Sequence, residues 1–151
     1  MFGSVKLKNW WLTVFSLLCL LIFTAICLLS LRAGAPDTVE INGEDYSLRA
    51  EDDADIAAFI NVCGYEVGEP LYEHEITVPK HWNDTYTRYN ELQQQQGLDL
   101  VPYKGKPARE RCYTVVGSDE TITLLLGEDR IIAAHICDSS GDNMQPLIMS
   151  R

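Results

Sequence analysis

The sequence predicts an α+β protein in which one N-terminal transmembrane helix precedes a small extracytoplasmic domain, with two helices packed on an antiparallel sheet that ends in a three-stranded meander. Three observations predict this architecture. Residues 10–31 form an apolar run without a charged side chain. Two later segments repeat apolar residues at helical spacing. Near the C-terminus, three strand-like apolar segments are separated by two short turns.

The apolar run at residues 10–31 is long enough to cross the hydrocarbon core of a bilayer as a helix. A secretory signal peptide is the alternative, but its apolar region usually spans about 7 to 15 residues, which is shorter than this run. An Ala-Gly-Ala site does occur at residues 33–35, yet Pro36 would directly follow the cut. The sequence therefore predicts a retained membrane anchor that contacts lipid through residues 10–31.

The orientation of the anchor is predicted from its flanking charges. Two lysines and no acidic residue precede the apolar run, whereas a dense run of acids follows it. Positive charge favours the cytoplasmic side, and tryptophan favours the membrane interface. Residues 1–9 are thus predicted to be a cytoplasmic stub, with the C-terminal domain outside the cell membrane. The residues predicted to anchor the inner side are Lys6, Lys8, Trp10 and Trp11.

Residues 32–38 are predicted to be a short linker, and residues 39–151 are predicted to form one domain, because their number suffices for a single core. The whole chain carries a net charge of -10. All 22 acidic residues but only 10 of the 12 basic ones follow residue 31, so the exported part carries -12. This charge excludes nucleic acid as a partner.

The first half of the domain is predicted to contain a hairpin, a helix and two extended segments. Residues 39–41 and 46–48 alternate around an Asn-Gly pair, which indicates a hairpin. Residues 52–63 show helical spacing, with acids at the expected N-terminus and a glycine after the end. These acids lack the spacing of a calcium-binding loop, so helix capping explains them. Residues 65–67 and 72–78 alternate as extended segments, interrupted at residues 68–70.

A second helix is predicted to begin at Pro79 and to stop at Gly97, and Gln93–Gln96 is interpreted as an ordinary helix end. Its apolar side is predicted to pack into the core as an aromatic stripe of Trp82, Tyr86, Tyr89 and Leu92.

The meander is predicted at residues 111–116, 121–126 and 130–137, and its apolar middle and last strands are expected to be covered on both faces. The C-terminal tail is expected to close over the sheet through Met144, Leu147, Ile148 and Met149.

Three cysteines follow the anchor, so at most one disulfide forms within the domain. Pairing the meander through its two turns predicts that Cys112 lies level with the start of the third strand, roughly 17 Å from Cys137, which is too far for a disulfide. A bond from Cys63 to either cysteine stays open, and free thiols are the default expectation.

No catalytic, phosphate-binding or dinucleotide-binding motif is present, so we expect a protein that is not an enzyme and that uses no cofactor or metal. His74 lies between Glu73 and Glu75, but successive residues of a strand point to opposite faces, so the histidine faces away from the two glutamates. Cys137 and His135 share a face, yet no third orienting group accompanies them. The alternative is a cell-envelope enzyme that works through Cys137 and His135 or through the two glutamates.

A basic turn stands out against the otherwise acidic domain, and it predicts a contact surface. The chain is therefore predicted to be an extracytoplasmic binding, sensing or interaction domain with a protein partner at the cell surface. A further alternative is an assembly factor that acts through its membrane span. The predicted interaction surface comprises Tyr103, Lys104, Lys106, Arg109 and Arg111.

Five short motifs carry a resemblance to a known family. They are Cys63-Gly64-Tyr65-Glu66-Val67, Val78-Pro79, Tyr89-Asn90-Glu91-Leu92-Gln93, Gln96-Gly97-Leu98-Asp99-Leu100 and Tyr103-Lys104-Gly105-Lys106. With these motifs the chain resembles an uncharacterised bacterial family, found mainly in Firmicutes and catalogued as domain of unknown function forty-eight thirty. It departs from that pattern at Ala133-Ala134-His135, where the family often has Gly-Gly-Asp. The resemblance implies a small α+β domain outside the membrane and brings no known activity, ligand or catalytic residue.

Overall fold

The computed structural model describes residues 10–31, 37–138, 140–141 and 143–148, and within the first helix it describes the side chains of residues 14–24. The chain divides into two compact units, at residues 1–34 and 35–151.

The first unit contains one helix, α1 (Trp10–Leu31). All its described side chains, from Val14 to Thr24, are exposed. Lys6 and Lys8 and the side chains of Trp10 and Trp11 lie outside the described residues. Within the part of the chain that is described, no helix has both the length and the apolar character needed to cross a membrane.

The second unit begins with the predicted hairpin, which is confirmed as strands β1 (Thr38–Ile41) and β2 (Glu44–Ser47). The connection has two residues, Asn42 and Gly43, both at positive φ (55° and 86°), as a tight hairpin turn requires. The second strand therefore starts two residues earlier than predicted. Thr38 lies in β1, so the predicted linker at residues 32–38 extends too far into the domain, and residues 32–36 lie outside the description.

The predicted first helix of the domain is confirmed as α2 (Asp53–Val62). The Asp52 side chain accepts a hydrogen bond from the Asp55 N–H at 2.9 Å, which satisfies a backbone donor that has no partner within the helix. At the other end Gly64 adopts a φ of +93°, as a helix-terminating glycine does. The buried side of α2 consists of Ile56, Phe59 and Ile60.

The two predicted extended segments form one strand, β3 (Val67–Thr77), so the predicted break at residues 68–70 is wrong. Among the described strands, β3 lies at the edge of the five-stranded sheet and pairs with one neighbour, the strand that follows it in sequence. An edge strand tolerates Pro70, and two register shifts between Val67 and Tyr72 absorb the irregular residues.

The second helix of the domain, α3 (Asp84–Gln95), begins later than predicted. The Asn83 side chain accepts a hydrogen bond from the Tyr86 N–H at 3.0 Å and caps the helix, a role that Pro79 lacks the side-chain acceptor to fill. The chain before the cap is held instead by Trp82, whose indole N–H donates to the Pro79 carbonyl at 2.9 Å. The predicted stop at Gly97 is confirmed, with a φ of +81°.

The predicted meander is confirmed as β4 (Pro107–Val115), β5 (Thr121–Gly127) and β6 (Arg130–Cys137), and a short strand β7 (Gln145–Pro146) extends it. The strand order is β3-β4-β5-β6-β7, with every pair antiparallel. The interiors of β5 and β6 are buried on both faces, as predicted. One core cluster contains the apolar residues of α2 and the hairpin, and the other lies towards α3. In the tail, Leu147 and Ile148 are buried, Met144 is exposed, and Met149 lies outside the described residues.

The observed register differs from the predicted one. Cys112 pairs with Thr123, which pairs with His135, so Cys112 lies near the end of β6 and not at its start. The register differs for two reasons. The last residue of β4 that pairs with β5 is Thr114, opposite Thr121, which is earlier than predicted. In addition, an irregularity interrupts the pairing of β5 with β6 between Leu125 and Leu126. Cys112 lies on β4 and Cys137 on β6. These two strands are separated by β5, so their axes are roughly 9.6 Å apart, which is two strand spacings. Cys63, Cys112 and Cys137 are all free thiols.

Candidate functional site

The fully buried residues of α3 are polar, so the predicted aromatic core stripe is confirmed only in part, through Trp82 and Tyr89, which pack against the second core cluster. Asn90, Gln93 and Gln96 are buried, whereas the aromatic residues and Leu92 are only half-buried. The physical reason lies in β6, where Ala134 pairs with Leu124 of β5 on one side. On its other side the described part of β7 pairs with His135 and Ile136 and does not reach Ala134. Gln93 Oε1 accepts from the Ala134 N–H at 2.9 Å, and Gln96 Nε2 donates to the Ala134 carbonyl at 2.6 Å.

The same amides connect α3 to the segments around it. Gln96 Oε1 accepts from the Ile148 N–H at 3.0 Å and so holds the tail. Asn90 Oδ1 accepts from the Leu100 N–H at 2.7 Å. Gln93 and Gln96 therefore form a buried hydrogen-bonding pair, whereas Gln94 and Gln95 are exposed. The interpretation of this run as an ordinary helix end fails for Gln93 and Gln96. These bonds hold α3 with its polar side against the edge of β6, while its aromatic side borders a cavity.

This cavity has a volume of about 410 Å³ and lies between α3 and the sheet; we call it the α3 cavity. Four polar or charged side chains line it besides two tyrosines, namely Thr85, Arg88, Glu110 and His135. The other lining residues are apolar or aromatic, namely Ile76, Val78, Tyr86, Tyr89, Leu92, Leu100, Leu125 and Met144. Three of the four residues of the predicted aromatic stripe, Tyr86, Tyr89 and Leu92, thus form one wall of a ligand-sized space.

One wall of the α3 cavity contains a neutral pair of polar rings. The Tyr89 hydroxyl lies 3.1 Å from His135 Nδ1, and the two rings meet edge to face with centroids 5.5 Å apart. Burial lowers the pKa of His135 to about 4, so the imidazole is uncharged at neutral pH. Burial also raises the pKa of Tyr89. The pair can exchange hydrogen bonds with a ligand but supplies no charge.

Two charged residues also line the α3 cavity. Glu110 is half-buried on β4, between His74 of β3 and Leu125 of β5 in the register, and Arg88 is exposed on α3. After burial, the negative charge of Glu110 is the next cause of the raised pKa of Tyr89. Among the described residues, neither Glu110 nor Arg88 forms an ion pair.

The structure divides the predicted interaction surface. Arg111 is ion-paired with both Asp53 and Glu73, and its side chain is only 14% exposed. Arg109 Nη1 lies 3.4 Å from Glu73 Oε1. Tyr103 is buried, because the loop after it folds back through a hydrogen bond from Gly105 N–H to a carbonyl before α3. Tyr103 therefore lies in the core, and the two arginines have carboxylate partners.

The two lysines of the predicted surface, Lys104 and Lys106, form a patch with Lys80, which sequence reasoning missed. Lys104 Nζ lies 3.7 Å from the centre of the Trp82 ring, a cation–π contact, and Lys106 Nζ lies 5.3 Å from the Tyr103 ring. The Lys80 side chain packs against Gly105, where it occupies the space of a Cβ. Among the described residues none of these lysines is ion-paired. We call Lys80, Trp82, Lys104 and Lys106 the lysine patch.

The residues considered for catalysis are placed apart. Cys137 Sγ lies 3.2 Å from the Thr121 hydroxyl, whereas His135 contacts Tyr89, and no hydrogen bond joins Cys137 to His135 in the described part of the chain. The ion pair with Arg111 and Arg109 lowers the pKa of Glu73. No group of three or more His, Cys, Asp or Glu side chains that could hold a metal occurs among the described residues.

Fold and site together define a small α+β domain whose main distinguishing feature is an apolar cavity with a few polar groups. The chain belongs to the family described as a domain of unknown function (DUF4830), which matches residues 59–136. This match, from α2 to the end of β6, confirms the resemblance. No curated protein and no solved structure matches the chain. The tripeptide that departs from the family pattern, Ala133-Ala134-His135, supplies the backbone held by Gln93 and Gln96 and the histidine of the α3 cavity.

Proposed function

We propose that this chain is a single-pass membrane protein whose extracytoplasmic domain binds a small, largely apolar ligand in the α3 cavity. The observation that carries the proposal is the cavity itself. Ligand sites typically have volumes of roughly 300 to 1,000 Å³, mostly apolar walls and a few placed polar groups. The α3 cavity, with about 410 Å³ and four polar side chains among twelve lining residues, fits that description.

A second cavity, of about 690 Å³, lies at the end of β3, β4 and β5, and its composition favours it less. Glu75, Lys106, Arg109 and Glu128 contribute to its lining. Charged side chains of this kind stay hydrated at a surface and offer little apolar area to a ligand. The smaller α3 cavity therefore supports a binding function better than the larger one.

The proposal for the ligand can be tested with two neutral apolar probes, indole and p-cresol. The full chain, reconstituted in phosphatidylglycerol nanodiscs and labelled with ¹³C at its methionine methyls, should show a saturable shift of the Met144 signal with either probe. Leu92→Trp fills the cavity and should abolish that shift. Gln95→Trp adds the same ring at an exposed position of α3 outside the cavity and should leave it intact. The absence of a shift with both probes, or equal shifts in both variants, would contradict the proposal.

The membrane anchor rests on the sequence of residues 10–31, which contains no charge, and on Lys6 and Lys8 before it. The N-terminus is proposed to be cytoplasmic. Alkaline extraction of cell membranes should leave the chain in the pellet, and alkaline phosphatase fused after Arg151 should be active, since that enzyme needs an extracytoplasmic location. Release by alkali, or an inactive fusion, would contradict anchoring or orientation respectively.

A second candidate function is docking of an acidic protein at the cell surface through the lysine patch. It is favoured by positive side chains that have no described ion-pair partner in a domain that is otherwise acidic. Lys104→Glu with Lys106→Glu should abolish photocrosslinking from a probe placed at residue 80. The matched control, Lys104→Arg with Lys106→Arg, keeps the charge and should retain it. Equal crosslinking in both double variants would exclude this docking.

A further inference from the structure

The α3 cavity contains two opposite charges that do not neutralise each other. Glu110 approaches it from β4 and Arg88 from α3, and both line the same space. No ion pair joins them, and neither forms an ion pair with any other described residue, although Glu110 also interacts with the Tyr72 hydroxyl. The other arginines of the described domain differ in this respect, because Arg49, Arg109, Arg111 and Arg130 all have carboxylate partners.

The surroundings of Glu110 suit a ligand ammonium group. The carboxylate is half-buried, and its electrostatic influence reaches Tyr89 and Tyr72. A carboxylate that has lost part of its hydration gains from a nearby cation, and aromatic rings add a favourable face to an ammonium ion. His135 offers no competing positive charge, since its imidazole is neutral at physiological pH.

Arg88 suits a ligand carboxylate. It lies on α3 at helical spacing from Thr85 and Leu92, which line the same cavity, so the three side chains project from one face of the helix. A guanidinium presents a planar fork of N–H donors that matches the two oxygens of a carboxylate. Because Arg88 is exposed, its fork stands where the cavity meets solvent.

We propose that the ligand of the α3 cavity is an apolar α-amino acid, whose ammonium group binds Glu110, whose carboxylate binds Arg88 and whose side chain contacts the apolar wall. This inference rests on the proposed function and adds the class of ligand. A fatty acid would leave Glu110 without a cation, and an apolar amine would leave Arg88 without an anion. A zwitterion satisfies both charges within one small molecule.

The experiment compares four forms of one compound that differ only in charge. Phenylalanine carries both charges, phenylalaninamide only the positive one, N-acetyl-phenylalanine only the negative one, and N-acetyl-phenylalaninamide neither. Affinity is measured from the Met144 methyl shift of the full chain in phosphatidylglycerol nanodiscs. Phenylalanine should bind about tenfold more tightly than each singly charged derivative, since each loses one charge-assisted contact.

Single variants assign the two contacts. Glu110→Gln should make phenylalanine bind no better than N-acetyl-phenylalanine, because the ammonium contact is gone. Arg88→Gln should make it bind no better than phenylalaninamide, because the carboxylate contact is gone. Glu91→Gln removes a charge from the exposed side of α3, outside the cavity, and should preserve the tenfold preference.

Several outcomes overturn the inference without overturning the proposed function. Equal affinity for all four compounds would leave an apolar site that does not recognise a zwitterion. A preference that survives both Glu110→Gln and Arg88→Gln would exclude those residues as its cause. No binding of any of the four, with indole and p-cresol still bound, would exclude this ligand class. Failure of indole and p-cresol as well would overturn the proposed function itself.

Discussion

Lowering the pH from 7.5 to 5 should destabilise the domain through His135. The imidazole is buried against α3, and burial lowers its pKa from 6.5 to about 4 in the folded protein. The unfolded chain therefore binds more protons than the folded one between those two pKa values. Its contribution to stability is complete above pH 6.5 and is lost as the pH falls towards 4.

The size of the effect follows from the two pKa values. At pH 7.5 the imidazole is neutral in both states and adds almost no pH dependence. At pH 5 it is mostly protonated in the unfolded chain and mostly neutral in the folded one, which lowers the free energy of unfolding by about 2 kcal/mol. Restricting the range to pH 5 and above keeps the titration of most carboxylates out of the comparison.

The assay is equilibrium urea unfolding of the full chain in nanodiscs. Trp10 and Trp11 are replaced by phenylalanine in every sample so that Trp82 reports on the domain. His135→Gln should remove most of the 2 kcal/mol difference between the two pH values. The exposed His74 and His81 give matched controls, and their replacement by glutamine should leave the difference unchanged.

The reasoning would be refuted if His135→Gln retained the full pH dependence, or if the exposed-histidine variants lost it. A stability that rises on acidification over this range would also contradict a lowered pKa for His135. Retention of the pH dependence in His135→Gln, or a rise of stability on acidification, would mean that the imidazole is better solvated or more favourably paired than its contact with Tyr89 indicates.

Three further outcomes are expected. Gln96→Leu should lower the free energy of unfolding by about 2 to 4 kcal/mol, because it removes the hydrogen-bond partner of the buried Ala134 carbonyl and of the buried Ile148 N–H. A loss below about 1 kcal/mol in urea unfolding would contradict this reasoning. Asn83→Ala should cost about 1 kcal/mol by removing the cap of α3, while Asn83→Asp should cost little, and equal losses in the two variants would exclude capping. Cys63 should resist iodoacetamide at pH 8 in the native state, because burial raises its pKa to about 12, and rapid labelling by mass spectrometry would oppose that burial.

The elements predicted correctly are those whose signals lie within a few residues of one another. The Asn42-Gly43 pair fixes the first hairpin because both residues tolerate positive φ. Asp52 and Gly64 mark the ends of α2 through bonds and dihedral angles inside that segment. Sequence reasoning reached these features because neighbouring residues alone determine them.

The errors concern contacts between distant parts of the chain. The polar side of α3 is buried because β7 is too short to cover Ala134, and nothing in the helix sequence reports the length of that strand. The register of the meander depends on an irregularity in the pairing of β5, and a single displaced residue moves every partner after it. Local patterns carry no signal for either feature.

The candidate site shows the same division. The aromatic stripe of α3 was recognised from its spacing, but spacing does not tell whether a neighbouring element fills the space beside it. The sequence predicts a free basic surface that includes Arg111, because its partners Asp53 and Glu73 are far away in sequence. The sequence does not predict Glu110 as a site residue, because a single glutamate in a strand becomes informative only when the surrounding cavity is known.

The most direct test of the central claim, that the α3 cavity is a binding site, is to identify the methyl groups that a bound probe contacts. Intermolecular nuclear Overhauser effects from the ring protons of indole should reach the methyls of Ile76, Leu125 and Met144, which line the cavity. Effects confined to exposed apolar residues elsewhere, such as Leu71 and Val116, would contradict the account.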